Sequence, residues 1–144
     1  MKEAIEILAV LMTGSLVGAE FCVAAFTNPI IGRLPADAYR AARSDGSRVL
    51  GKAMPFWYLA SFALLVAAAV VAYSPLIGAA AVVMAAAVLL SVTVLVPINN
   101  RVAAGSSADD VFYELAGRWD RLHWLRVAML AAMFVLLTAA CFGR

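Results

Sequence analysis

The sequence predicts an all-α integral membrane protein: a four-transmembrane-helix bundle built as two helical hairpins. Three observations carry that prediction. Of the 144 residues, 65% are hydrophobic and only 14% charged, where soluble domains carry about 25% charged residues. The mean hydropathy is +0.95. Between Lys52 and Arg101 lie 48 residues without one charge, enough for two helices of about 20 residues each across a hydrocarbon core. A water-soluble globule is excluded on these grounds. Two cysteines are too few for a disulfide scaffold, the polar content is too low for a disordered chain, and a net charge of +2 is too small for a nucleic-acid reader.

The first span is expected over 5–26, and it reaches spanning length only if Glu20 enters the membrane with it. A cleaved signal peptide is the alternative for this segment. Against it, Lys2 stands beside Glu3 and Glu6, and the apolar run outlasts a signal core. The Tyr73-Ser74-Pro75 step divides the charge-free stretch into spans over 54–72 and 76–98, joined by a tight turn. The fourth span, over 122–142, extends a helical pattern that begins in the loop before it. The loops then cover 27–53 and 99–121. They hold Arg33, Arg40, Arg43, Arg48 and Lys52 in the first, and Arg101, Arg118 and Arg121 in the second. The opposite side has only Lys2 and Arg144, so both long loops are expected in the cytoplasm and both termini outside, in an inner or plasma membrane of bacterial type. Cys22 and Cys141 then fall toward opposite ends of their spans, too far apart for a disulfide, and read as small packing residues.

Within the loops, Pro35 is placed to open a short helix over 36–49, broken at Asp45-Gly46 and lying on the headgroups. Ser107 with Asp110 has the spacing of a capping pair, followed by Val111, Phe112, Leu115 and Trp119 at helical intervals. The fourth helix is therefore expected to start outside the bilayer and run into it unbroken. A weak internal repeat links the hairpins: Pro29-Ile30-Ile31-Gly32-Arg33 closes the first span and Pro97-Ile98-Asn99-Asn100-Arg101 the third.

An ionised carboxylate at membrane depth costs on the order of 2.5 to 3.5 kcal/mol, so Glu20 must be neutral, paired or turned toward a wet cavity. Thr13, Glu20, Ala24 and Thr27 share one helical face, and Gly14 and Gly18 form a small-residue stripe on nearly the opposite one. The stripe is a close helix contact, within the chain or between copies as a homo-oligomer. In the fourth helix Trp119, His123, Arg126 and Leu130 stand at i, i+4, i+7 and i+11, and His123 is the chain's one histidine. This reading sets His123 level with Asn28, Asn99 and Asn100, with Glu20 about 12 Å deeper at 1.5 Å per residue, as the floor of a cytoplasm-facing pocket. Pro97 frees a carbonyl near Thr93 inside the span. Each of these residues also has a plainer reading. Trp119, Trp124, Trp57 and Tyr58 suit the interfacial aromatic belt, Arg126 suits snorkelling, and Glu20 suits an interhelical hydrogen bond. One histidine, one carboxylate and some amides make a poor zinc or copper set, and no cofactor is implied, although haem ligation through His123 stays open.

Four short spans, Val96-Pro97-Ile98-Asn99-Asn100 closing the third, and the Trp119, His123, Arg126 entry into the fourth together resemble the anthrone oxygenase-like family of small membrane proteins. The resemblance spans the chain in layout. It implies an oxygenase or oxidoreductase acting with dioxygen on a flat, hydrophobic, anthrone-like aromatic. On that reading His123 is the base, and Arg126 with Asn99 or Asn100 stabilises the oxyanion. Trp119 stacks on the substrate, Asn28 completes the polar layer, and Glu20 returns a proton to the peroxide. The competing reading is non-enzymatic: an accessory subunit packed through Gly14 and Gly18, or a small carrier using the Glu20 cavity. The expected partners are the lipid bilayer and a hydrophobic small molecule, with no nucleic acid.

Overall fold

The computed structural model describes residues 1–105 and 108–143, so the expected cap at Ser107 lies outside the described residues. Four helices long and apolar enough to cross a membrane make up nearly all of it: α1 Lys2–Ile31, α2 Ala36–Ala72, α3 Pro75–Ala104 and α4 Asp109–Phe142. Each packs against the next in sequence, and α4 packs back on α1, which closes an antiparallel bundle. The tight turn falls where expected. Tyr73 ends α2 in the left-handed region at φ 49°, and Pro75 starts α3, where its missing N–H is no loss.

Two apolar cores stack along the bundle. The larger, at the end carrying the termini, packs Leu16, Leu65, Ile77, Met84, Leu130, Met133 and Leu137 around Ala9, Ala68, Ala80, Ala87 and Ala140. The alanines let the helix backbones approach closely, which dispersion rewards in a bilayer. The smaller core, at the loop end, is Ile98, Val102 and Phe112, with Tyr39, Leu115 and Trp119 against it. Between the two lies a polar layer.

The loop end departs from expectation. The segment 36–49 is not a separate helix on the headgroups, and it has no break at Asp45-Gly46; α2 runs unbroken from Ala36 to Ala72. The reason is that this segment has its own partners in the bundle. Arg43 and Ser44 are buried; Ser44 Oγ donates to the Val102 carbonyl at 3.0 Å, and Arg43 donates to the Ala116 carbonyl and to Asp120. Arg40 pairs with Asp109, and Arg48 donates to the Ala103 carbonyl. Pro35 precedes the helix rather than opening it. As expected, α4 continues unbroken from the loop into the span.

Both α1 and α3 outrun their expected ends by passing through their prolines. Each widens by one residue just before doing so. The Asn28 N–H reaches back five residues to the Val23 carbonyl, and the Val96 N–H reaches five back to Ser91. The residue that follows is Pro29 in one helix and Pro97 in the other. A proline ring clashes with the carbonyl four residues back and offers it no N–H, and a π-type turn relieves that clash without ending the helix.

Of the glycine stripe, only Gly14 makes the close contact. A Cβ there would stand 3.1 Å from the Phe134 ring of α4, whereas nothing approaches Gly18 within 4 Å. The stripe is thus in part an intrachain seam, and Gly14 is occupied by it.

The continuity of α2 yields a prediction. Gly46 is helical, and a methyl group added at its Cα would meet nothing within 4 Å, so Gly46→Ala should raise stability by about 0.5–1 kcal/mol. A helix broken at that point would instead lose stability. Thermal unfolding in detergent, read against the wild type, decides.

Candidate active site

Each helix sends one or two polar side chains into the layer between the cores. From α1 comes Glu20, 1% exposed; from α2 Tyr58, 6%; from α3 Ser91, 8%; from α4 His123, 1%, and Arg126, 8%. Glu20 Oε1 accepts from the Tyr58 hydroxyl at 2.8 Å, and Oε2 accepts from Arg126 Nη2 at 2.8 Å. Arg126 Nη1 donates to Ser91 Oγ at 3.1 Å, and that hydroxyl donates to the Ala87 carbonyl at 2.8 Å. A buried charge is tolerable when paired and further hydrogen-bonded, and this one is both. The Arg126 guanidinium also lies 5.4 Å from the Tyr58 ring centroid.

His123 is held on both ring nitrogens. Nε2 stands 3.0 Å from the Glu20 carbonyl, which can only accept, so the proton sits on Nε2. That leaves Nδ1 as an acceptor for Arg126 Nη2 at 3.0 Å; Nη2 also donates to Glu20 Oε2, which brings the two acceptors within 3.1 Å of each other. The Trp119 indole stacks on the imidazole at 4.5 Å and 15°. With both nitrogens engaged, the ring does not fit as an axial ligand for haem. Among the described residues no three His, Cys, Asp or Glu side chains gather as a metal set.

Beside this cluster lies a cavity of about 330 Å³, lined by all four helices. Glu20, Tyr58, Ser91, Asn99, His123 and Arg126 supply its polar edge; the rest is apolar, with Leu50, Met54, Trp57 and Leu95 among it. A second cavity of about 50 Å³ lies toward the loops and shares Val23, Leu50, Asn99 and Trp119 with the first.

The expected site residues divide. Glu20, His123, Arg126, Trp119 and Asn99 all line the larger cavity. Asn28 lines only the smaller one, where its Nδ2 donates to Asp120 Oδ1 at 3.0 Å. Asn100 is exposed and lines neither, because one helical step from Asn99 turns it about 100° away. Asn99 itself spends a donor on the Ser47 carbonyl at 2.9 Å. The expected depth of His123 is corrected: it touches Glu20, and the α4 residue that meets Asn28 is Asp120, nearly one turn earlier. Trp119 has His123 as its stacking partner, and Arg43 approaches the same indole at 5.4 Å.

Four participants escape the reading from sequence. Tyr58 reads as a belt residue, but its spacing to Ser61 and Leu65 marks the buried face of α2. Ser91 is one of two hydroxyls, with Thr93, in a run of apolar residues, and it stands six residues before Pro97, which is a detectable signal. Arg43 and Asp120 form an ion pair at 2.9 Å on the loop side of Trp119. There burial raises the Asp120 carboxyl above its usual range, while Arg43 pulls it back down. Nothing in the sequence separates Arg43 from its basic neighbours.

The central ion pair predicts a pattern of stabilities. Glu20→Ala or Arg126→Ala should each cost about 3–5 kcal/mol, since each strands a buried charge. The double variant Glu20→Ala with Arg126→Ala should cost less than the sum of the two single losses. Denaturant unfolding in mixed micelles measures all three; additive losses would contradict a coupled pair.

No curated protein and no solved structure matches the chain. The family model described as anthrone oxygenase matches residues 39–136, from the loop end of α2 to the far half of α4. That stretch holds Tyr58, Ser91, Trp119, His123 and Arg126 but not Glu20. The match covers most of the sequence and all but one of the side chains in the buried cluster, and the chain belongs to the anthrone oxygenase family.

Proposed function

We propose that the protein oxidises a flat, hydrophobic aromatic compound with an activated C–H, of the anthrone class, using dioxygen. The observation that carries this reading is the Glu20, Tyr58, His123 and Arg126 cluster at one edge of an otherwise apolar cavity of about 330 Å³. That volume lies at the lower end of ligand-site sizes and suits a compact ring system. Family membership supports the same class of reaction.

The chemistry asks little of the protein. An anthrone methylene lies between two aryl rings and opposite a ketone. Loss of one proton gives an enolate, which passes an electron to dioxygen; the resulting radicals combine as a carbon-bound peroxide anion. Protonation of that peroxide and loss of water leave the second carbonyl. In the balance, one methylene group and one dioxygen molecule give one ketone and one water. The protein must accept a proton, hold the oxyanion and return a proton.

We assign the first and last tasks to Glu20. Glu20 is among the residues that line the cavity, and Tyr58 and Arg126 orient its carboxylate from opposite oxygens. His123, the base in the reading from sequence alone, has no free nitrogen, and its place here is to hold Arg126 and the Glu20 backbone. Arg126 also lines the cavity, and we assign it to the enolate oxygen as a cationic donor. Such a donor is worth most in a site that excludes water.

Oxygen uptake with a simple anthrone tests the proposal, after the visible spectrum of the purified protein has been recorded. The wild type should exceed the spontaneous rate. Glu20→Gln should lose on the order of 100-fold or more, the scale of a general base, and His123→Gln less than that. No uptake above background, or full activity in Glu20→Gln that still melts as the wild type does, would sink this reading.

A further inference from the structure

The larger cavity does not end inside the bundle. Six of its lining residues are exposed: Gly51, Ala53 and Pro55 toward the loop end of α2, and then Leu59 of α2 with Val92 and Val96 of α3, these three at 60%, 62% and 41%. The last three sit at the depth of the polar layer, since Leu59 follows Tyr58 and Val92 follows Ser91 in sequence. Helix packing agrees independently. α2 packs against both straight parts of α3, Pro75–Leu90 and Val96–Ala104, but the widened turn Ser91–Leu95 between them packs on α4 instead. The two helices therefore meet above and below this level and part at it. All three residues at the gap are aliphatic, and an aliphatic rim at span depth faces hydrocarbon rather than water.

We propose that this gap is the substrate entrance, and that the cavity draws a lipid-dissolved aromatic sideways out of the bilayer between α2 and α3. The proposal rests on reading the cavity as the substrate site. The occupant is set by what borders it: an aliphatic doorway admits a flat apolar ring system, and the polar edge that Tyr58, Ser91 and Arg126 give the lining receives a carbonyl or phenolic oxygen on the end that enters first. A charged or strongly hydrated ligand has no favourable path through Leu59, Val92 and Val96. The route also accounts for the widened turn, which pulls the α3 backbone away from α2 at the level where passage is required.

The test closes and reopens the gap. Leu59→Cys and Val92→Cys are introduced together with Cys22→Ser, Cys141→Ser and Trp124→Phe, and the protein is placed in dioleoylphosphatidylcholine nanodiscs. A bis-methanethiosulfonate reagent bridges the two thiols, and reductant releases them. Binding of 9,10-anthraquinone, which has no open quinone carbon for a thiol to add to, is read after removal of the reductant as quenching of Trp57 and Trp119, which both line the cavity. Bridging should weaken binding at least tenfold, with reduction restoring it, and anthrone oxidation should fall and recover in parallel. Unchanged binding in the bridged protein, or no quenching before bridging, would overturn the proposal. Quinone binding that follows the bridge in a protein inert toward anthrone would keep the entrance and reject the oxidation.

Discussion

A carboxylate placed in the middle of a membrane span has to be answered by the protein, and the answer to Glu20 organises this one. Its two oxygens are taken by Tyr58 of α2 and Arg126 of α4, its backbone carbonyl by His123, and Arg126 is steadied in turn by Ser91 of α3. Four helices are thereby tied at one level. The surrounding packing is aliphatic and alanine-rich, so it tolerates sliding far better than this network does. A shift of one helix by a single residue would swing its polar group some 100° away and leave a buried donor or acceptor unmet. The network thus fixes register in a bundle whose apolar contacts alone would not.

Two of the turns that line the cavity are widened ahead of prolines. Pro29 and Pro97 each force a wide turn six residues earlier, at Val23–Thr27 and Ser91–Leu95. One of these turns follows Glu20 and the other begins with Ser91, so both helices loosen beside the buried charge. The step from one proline to the other is the step from Tyr58 to Arg126, two residues that meet across the Glu20 carboxylate. The matching turns extend the short Pro-Ile repeat into structure: both hairpins carry the same irregularity and contribute a partner to the same anion.

Hydropathy and turn chemistry make the four spans, the hairpin at Tyr73 and Pro75, and the unbroken entry of α4 legible in the sequence. The inward turn of Glu20 follows from the cost of exposing it, and the alignment of Trp119, His123 and Arg126 follows from helical spacing. What escapes is whatever depends on relative depth. His123 reads as level with Asn28 when span ends are judged from composition, whereas α1 and α3 run on through their prolines. The supposed surface helix around Asp45-Gly46 fails for a related reason: the loop segments find partners in one another, and Ser44 meeting the Val102 carbonyl is a contact no local pattern announces. Asn99 and Asn100 are equivalent in composition and opposite in direction, and only the phase of α3 after its wide turn separates them.

The family match begins at Tyr39 and so leaves α1 outside, while the site's one carboxylate stands on α1. Arg126, Tyr58 and Ser91 by themselves are a cation, a hydroxyl donor and a hydroxyl in a dry cavity, an arrangement that receives an anion. Glu20 fills that role in the resting protein. In the proposed reaction the carboxylate takes the proton as the enolate forms and loses its charge, which leaves Arg126 to face the new anion. On that proposal charge moves from Glu20 to the substrate while the cation stays in place, so the mostly apolar site holds one paired anion before and after proton transfer. Keeping that count constant would allow acid–base chemistry where a mostly apolar lining offers little to solvate a second charge.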